Sequence, residues 1–135
     1  MKSPEEIVEL MMENDAFSQW MGIEVIALEK GHCQLNCTVH EHMLNGFQIL
    51  HGGISYSLSD SALAFAANSY GNKCMSIETS ISHLRKVELN DMLIITCNEI
   101  SRRKTIGIYS VSIKKTDGTE ISRFKGTVHI SAEIW

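Results

Sequence analysis

Proline is nearly absent from this sequence, with Pro4 its single example in 135 residues. Basic blocks are absent as well. Twelve Lys and Arg are outnumbered by sixteen Asp and Glu, giving a net charge of -4. A chain without a basic patch has no electrostatic hold on nucleic acid or on an anionic membrane surface. Its densest cationic cluster is Arg102, Arg103 and Lys104. That cluster reads either as a solvated turn or as a rim that steers a phosphorylated ligand. No apolar run is long enough to span a membrane. Glu5, Glu6 and Glu9 stand where a secretory leader would be apolar. The four cysteines, Cys33, Cys37, Cys74 and Cys97, form no CxxC pair and show no zinc-site spacing. Each lies in or beside a strand-like stretch, where a reduced thiol packs as a small apolar filler. The expectation is a reducing compartment, the cytoplasm.

What is present suits one domain, residues 1–135. Hydrophobic residues make up 44 % and charged residues 21 %, enough for a core and too apolar for a disordered chain. Pro4 to Asp15 has the pattern of an amphipathic helix after Ser3, with Ile7, Val8, Met11 and Met12 on one face. Phe17 and Trp20 are expected to anchor the segment that follows. Gly22 to Leu28 reads as a strand, with Ile23, Val25 and Ala27 alternating. A turn at 29–31 leads to a second strand, His32 to Val39, with Cys33, Leu35, Cys37 and Val39 on one face. A mixed loop, His40 to Leu50, follows.

From Ile54 to Tyr70 the period becomes helical and few charges interrupt it. A helix apolar nearly all round is buried, and Gly71 is placed to end it. Thereafter the period is two. Met75, Ile77, Thr79 and Ile81 share one face; Leu93, Ile95 and Cys97 another; then Tyr109, Val111 and Ile113; then Phe124, Gly126, Val128 and Ile130. Asp117-Gly118 is a hairpin signal. The order is helix, two strands, long helix, four strands. It predicts an α+β fold in which a curved antiparallel sheet wraps a central helix. Such a sheet covers only part of that helix, and Ile106 and Ile108 break the alternation of their strand. A second subunit related by a twofold axis, or the first helix, would cover the remainder.

The candidate site is the stretch HGGISYSLSD, His51 to Asp60. A helix start offers unpaired N–H groups, and glycines there let a ligand oxygen approach them. Gly52 and Gly53 therefore read as an oxyanion-stabilising turn or simply as a tight turn. Asp60 lies in an otherwise apolar helix. It is a nucleophile or general base with a raised pKa, or it bonds to Ser57 or Ser61 at a solvated groove. Gly52 and Asp60 are eight positions apart, about 12 Å along a helix. One chain cannot bring both to the same carbonyl, so a shared role requires a Gly52 from another chain. Asn45 holds water or a carbonyl oxygen, or makes a plain turn with Gly46. Ser76 can orient a water from its strand.

Leu44-Asn45-Gly46, the spacing to His51-Gly52-Gly53, and then Leu58 and Asp60 resemble the signature of hotdog-fold acyl-CoA thioesterases. The branch is similar to the PaaI-like phenylacetic acid degradation thioesterases and to acyl-CoA thioesterase 13. The likeness runs from about Phe17 to Ser131. It implies hydrolysis of an acyl-CoA to a free acid and CoA, with no metal or organic cofactor. It implies a homodimer with a site at the interface, and a homotetramer made of two dimers. In that scheme the Gly52 N–H polarises the thioester carbonyl and Asp60 of the other chain attacks it or activates water. Asn45 and His51 support the substrate or the loop, and Ser76 helps place the water. Gly53, Tyr56, Ser55, Ser59, Phe65 and Met75 are candidate pocket residues. Arg85, Arg103 and Lys104 are candidates for the CoA phosphates. The sequence departs from the family where a proline often follows the arginine, for Lys86 and Val87 follow Arg85. Two other readings stand beside this one: a hotdog enoyl-CoA hydratase or dehydratase, and a non-catalytic acyl-CoA-binding protein.

Overall fold

A computed structural model describes all of residues 1–135. Helix α1, Pro4–Asn14, opens with a reciprocal cap. Ser3 Oγ accepts the Glu6 N–H at 3.2 Å, and the Glu6 carboxylate accepts the Ser3 N–H at 2.7 Å. Ile7 and Val8 are buried beneath it. The helix stops at Asp15 because that side chain starts a second helix, α2, Ala16–Met21, which the sequence pattern did not separate from its surroundings. Gly22, at φ 76°, closes α2 in the left-handed conformation that glycine tolerates. Ser18 and Met21 are the buried residues of α2. Phe17 and Trp20, expected as anchors, stay half-exposed and stack on each other.

Six antiparallel strands form one sheet in the order β1-β2-β4-β5-β6-β3. They are β1, Glu24–Glu29; β2, His32–Thr38; β3, Asn72–His83; β4, Met92–Arg102; β5, Ile106–Lys115; and β6, Glu120–Ile134. The sheet curves around α3, Gly52–Asn68, which contacts β2 to β6. This is the expected α+β, hotdog-like layout. The inward sets read from the sequence are buried: Cys33, Leu35 and Cys37 on β2, Leu93, Ile95 and Cys97 on β4, and Tyr109, Val111 and Ile113 on β5. Gly126 on β6 faces the helix at close range, where a Cβ would overlap Leu63. Removing that one atom lets α3 settle onto the sheet.

Two strands differ from expectation, both through irregular pairing. On β1 the register shifts between Val25 and Ala27, so the predicted alternation fails and Val25 and Ile26 are exposed. On β3 a shift between Ser76 and Glu78 splits the set Met75, Ile77, Thr79 and Ile81. Met75 is 76 % and Ile77 60 % exposed, while Ile81 packs on the core. β3 is also an edge strand, so this apolar pair lies at an unpaired border. The helix differs only at its ends, beginning at Gly52 and stopping at Asn68. Gly71, at φ 112°, then turns the chain into β3. All four cysteines are free thiols. Burial pushes Cys37 up to about 11 and Cys33 to about 12, which keeps them protonated fillers. No helix is long and apolar enough to cross a membrane.

Candidate active site

His51 is the residue that starts α3. Its Nδ1 accepts the Gly53 N–H at 2.8 Å, and its carbonyl accepts the Ile54 N–H at 2.9 Å. The Gly53 donor is therefore spent inside the turn. The Gly52 N–H has no partner in the chain, and Gly52 borders a cavity of about 390 Å³. His83, at the end of β3, forms the opposite wall, so close that a Cβ on Gly52 would meet its Nε2 at 3.1 Å. Asn45, Ser55, Arg85 and Lys86 complete the polar part of this cavity. Asn45 builds the loop beside it. Its Oδ1 accepts the N–H groups of Phe47 at 2.9 Å and Ile49 at 3.4 Å. Gln48, at φ 62°, takes the tight position in that loop.

Asp60 lies two turns further along α3 and opens into a separate cavity of about 240 Å³. Leu63, Ala64, Cys74, Met75, Ser76 and Val128 surround it there. The two serines that offered it a local bond are engaged elsewhere. Ser57 donates to the Gly53 carbonyl at 2.7 Å, and Ser61 Oγ lies 2.8 Å from Ser18 Oγ. The Asp60 carboxyl is left half-buried with no hydrogen-bond donor in the chain. Burial, and then the nearby Asp15 carboxylate, hold its pKa above the usual carboxylate range. A carboxylate that costs solvation and receives no bond is a poor structural element. The same features suit a carboxyl group to accept a proton once it is ionised.

The fold thus gathers Gly52, Asn45 and Arg85 at one cavity and Asp60, Ser76 and Met75 at another. It does not bring Tyr56, Ser59 or Phe65 to either. Tyr56 bonds to Thr79 and meets Phe124 edge-on at 5.5 Å. Ser59 and Phe65 are fully buried, and Ser59 donates back to the Ser55 carbonyl at 2.9 Å. An all-round apolar helix gave no sign of which face meets a cavity. Arg103 and Lys104 lie on the β4–β5 turn, beyond Arg102, which donates to the Ala67 carbonyl near the far end of α3. They are roughly a helix length from Gly52 in the same chain. His83 and Lys86, which border the Gly52 cavity, escaped the sequence reading. His83 continues the alternation of Thr79 and Ile81 beyond the β3 bulge, and that phase was the signal that could have found it.

Comparison with known proteins follows the same geometry. The thioesterase superfamily model matches residues 47–122, which include Gly52, Asp60 and β3. The chain is 34 % identical over 119 residues to the acyl-coenzyme A thioesterase PaaI of Escherichia coli, covering 88 % of this chain and 85 % of that protein. It is 25 % identical to human acyl-coenzyme A thioesterase 13, covering 96 % and 95 % of the two chains. The structure of the Escherichia coli PaaI protein, from the phenylacetic acid degradation operon, superposes with a TM-score of 0.94 at 31 % identity, over 97 % of this chain and 95 % of that one. A Streptococcus pneumoniae thioesterase crystallised with coenzyme A shares the fold, with a TM-score of 0.88 at 22 % identity, over 93 % and 98 % of the chains. The chain therefore belongs to the thioesterase superfamily, as a PaaI-like hotdog thioesterase and a thioester hydrolase.

Proposed function

We propose that this protein hydrolyses acyl-CoA thioesters at a site shared by two subunits. The observation that carries the reading is the separation of two unpartnered groups on one helix: the Gly52 N–H and the Asp60 carboxyl. The β3 edge supports the pairing. Its backbone is open and flanked by Met75 and Ile77, so two copies joined there would continue the sheet and cover the apolar pair. Two such dimers then form a tetramer.

In the dimer, the thioester carbonyl accepts the Gly52 N–H of one subunit and faces Asp60 of the other. The positive end of α3 stabilises the oxyanion as the carbonyl carbon becomes tetrahedral. Asp60 either attacks that carbon, expelling CoA thiolate and leaving an anhydride that water opens, or takes a proton from the attacking water. Both routes consume one water and release the acid and CoA. Ser76, on the Asp60 cavity, positions the water. Arg85, with Lys86, borders the Gly52 cavity and meets CoA phosphate. Arg103 and Lys104 serve only a site built with another chain. Neither route calls for a metal or an organic cofactor.

The acyl group is aryl or aliphatic, and phenylacetyl-CoA is the first to test because of the operon of the Escherichia coli relative. The reduced thiols fit a cytoplasmic setting. A hydratase reading would use His83, which walls the Gly52 cavity, and product analysis with an enoyl-CoA separates it from hydrolysis. A mere acyl-CoA binder has no use for an unbonded carboxylate at Asp60. The test is CoA release from phenylacetyl-, benzoyl-, hexanoyl- and palmitoyl-CoA. Turnover by the wild type that Asp60→Ala abolishes supports the reading, and normal turnover by Asp60→Ala overturns it.

A further inference from the structure

Asn68 ties together the two walls of the Asp60 cavity. It is the last residue of α3, only 2 % exposed, and its side-chain amide makes every bond an amide can make. Nδ2 donates to the Ala64 carbonyl at 2.8 Å and to the Cys74 carbonyl at 3.2 Å. Oδ1 accepts the Cys74 N–H at 2.9 Å and the indole Nε1–H of Trp135 at 2.8 Å. The amide cannot be turned over, because its NH2 group would then face two donors. Ala64 borders the cavity from α3 and Cys74 borders it from β3, so one buried side chain joins helix to strand there. The strand needs such a hold. As an edge strand β3 pairs only with β6, and its register slips between Asn72 and Cys74 and again between Ser76 and Glu78. The residues between the slips, Cys74, Met75 and Ser76, are those that border Asp60.

Trp135 holds this clasp in turn. Besides the indole bond, its backbone N–H donates to the Gly71 carbonyl at 3.0 Å, and Lys73 Nζ lies 5.4 Å from its ring centroid. Trp135 therefore grips the turn between α3 and β3 at two points. We propose that Asn68, locked by Trp135, is a positioning residue that fixes the spacing between Asp60 on α3 and Ser76 on β3, and with it the place of the attacking water. The inference rests on the thioesterase reading for its effect on turnover. Without the clasp, the segment from Cys74 to Ser76 is free to slide against the helix, and a small displacement of a group beside the reacting atoms slows the chemical step while leaving binding nearly intact.

Trp135→Phe is the gentle test, because a phenyl ring still faces Lys73 and only the Nε1–H is lost. Its kcat for phenylacetyl-CoA should fall about two- to fivefold with KM held, and Asn68→Ala, which removes the whole clasp, should lose about tenfold or more. An unchanged kcat in Trp135→Phe overturns the proposal. The decisive comparison is made in a Ser76→Ala background. If the clasp works by placing Ser76, Trp135→Phe slows that enzyme little further, whereas a fully additive loss means that the clasp only supports the fold and overturns the proposal. A second readout needs no substrate. Hydrogen exchange at the Cys74 amide, which Asn68 Oδ1 accepts, should quicken severalfold in Trp135→Phe while the amides of β4 and β5 keep their rates. An unchanged Cys74 rate would show that Trp135 does not lock the clasp. If the wild type cleaves no thioester, the hydrolase reading falls and the role in turnover falls with it, while the exchange rates still decide whether Trp135 and Asn68 hold the β3 wall.

Discussion

His83 Nε2 lies 3.1 Å from the point where a Cβ on Gly52 would stand. The backbone at Gly52 is not left-handed, so alanine fits it conformationally. What alanine removes is the space in which a thioester oxygen would approach the N–H. Gly52→Ala should fold with an unchanged oligomeric state and lose roughly ten- to a hundredfold in turnover, the scale of a misplaced reacting group. Steady-state kinetics beside a melting curve check this. Full activity in Gly52→Ala would show that the oxyanion is bound elsewhere.

Asp60 has a raised folded-state pKa caused first by burial and then by Asp15. A carboxyl of this kind contributes stability that is complete below its ordinary pKa and is lost as pH rises through the folded value. Asp60→Asn is always neutral, so it should melt higher than the wild type at pH 7. The advantage should shrink as the pH is lowered and the native carboxyl protonates. Melting curves at several pH values measure this. A variant that is inactive yet more heat-stable would separate the loss of chemistry from any loss of fold.

Met75 and Ile77 expose apolar side chains along the β3 edge. Lysine at Ile77 would place like charges from two copies at the twofold border, which disfavours edge pairing. Ile77→Lys should run as a monomer by light scattering and release CoA at a small fraction of the wild-type rate. An active monomer would contradict a site built at that edge.

The sequence disclosed the fold through periodicity. Leu93, Ile95 and Cys97, or Tyr109, Val111 and Ile113, alternate without interruption and are buried as read. Where a bulge resets the phase, as between Ser76 and Glu78, the same rule put Ile77 on the wrong face. The short helix α2 was missed because Asp15 ends one helix and caps the next, which leaves no loop to mark the boundary. At the candidate site, Gly52 and Asp60 were legible because glycine at a helix start and an acid in an apolar run each break a local preference. Tyr56, Ser59 and Phe65 were not orientable, since α3 is apolar on every side.

The central claim is that one site takes Gly52 from one subunit and Asp60 from the other. Complementation tests it most directly. Asp60→Ala and a bulky Gly52→Val variant, each inactive alone, are unfolded together, refolded as a mixture and assayed for CoA release. In a mixed dimer with shared sites, one of the two sites has an intact Gly52 and an intact Asp60, and the other has neither. With random pairing, activity should return to about a quarter of the wild-type value. If both groups act within one chain, every chain in the mixture carries a defect. No recovery in mixed dimers, with their formation verified by differential tagging, would contradict the shared site.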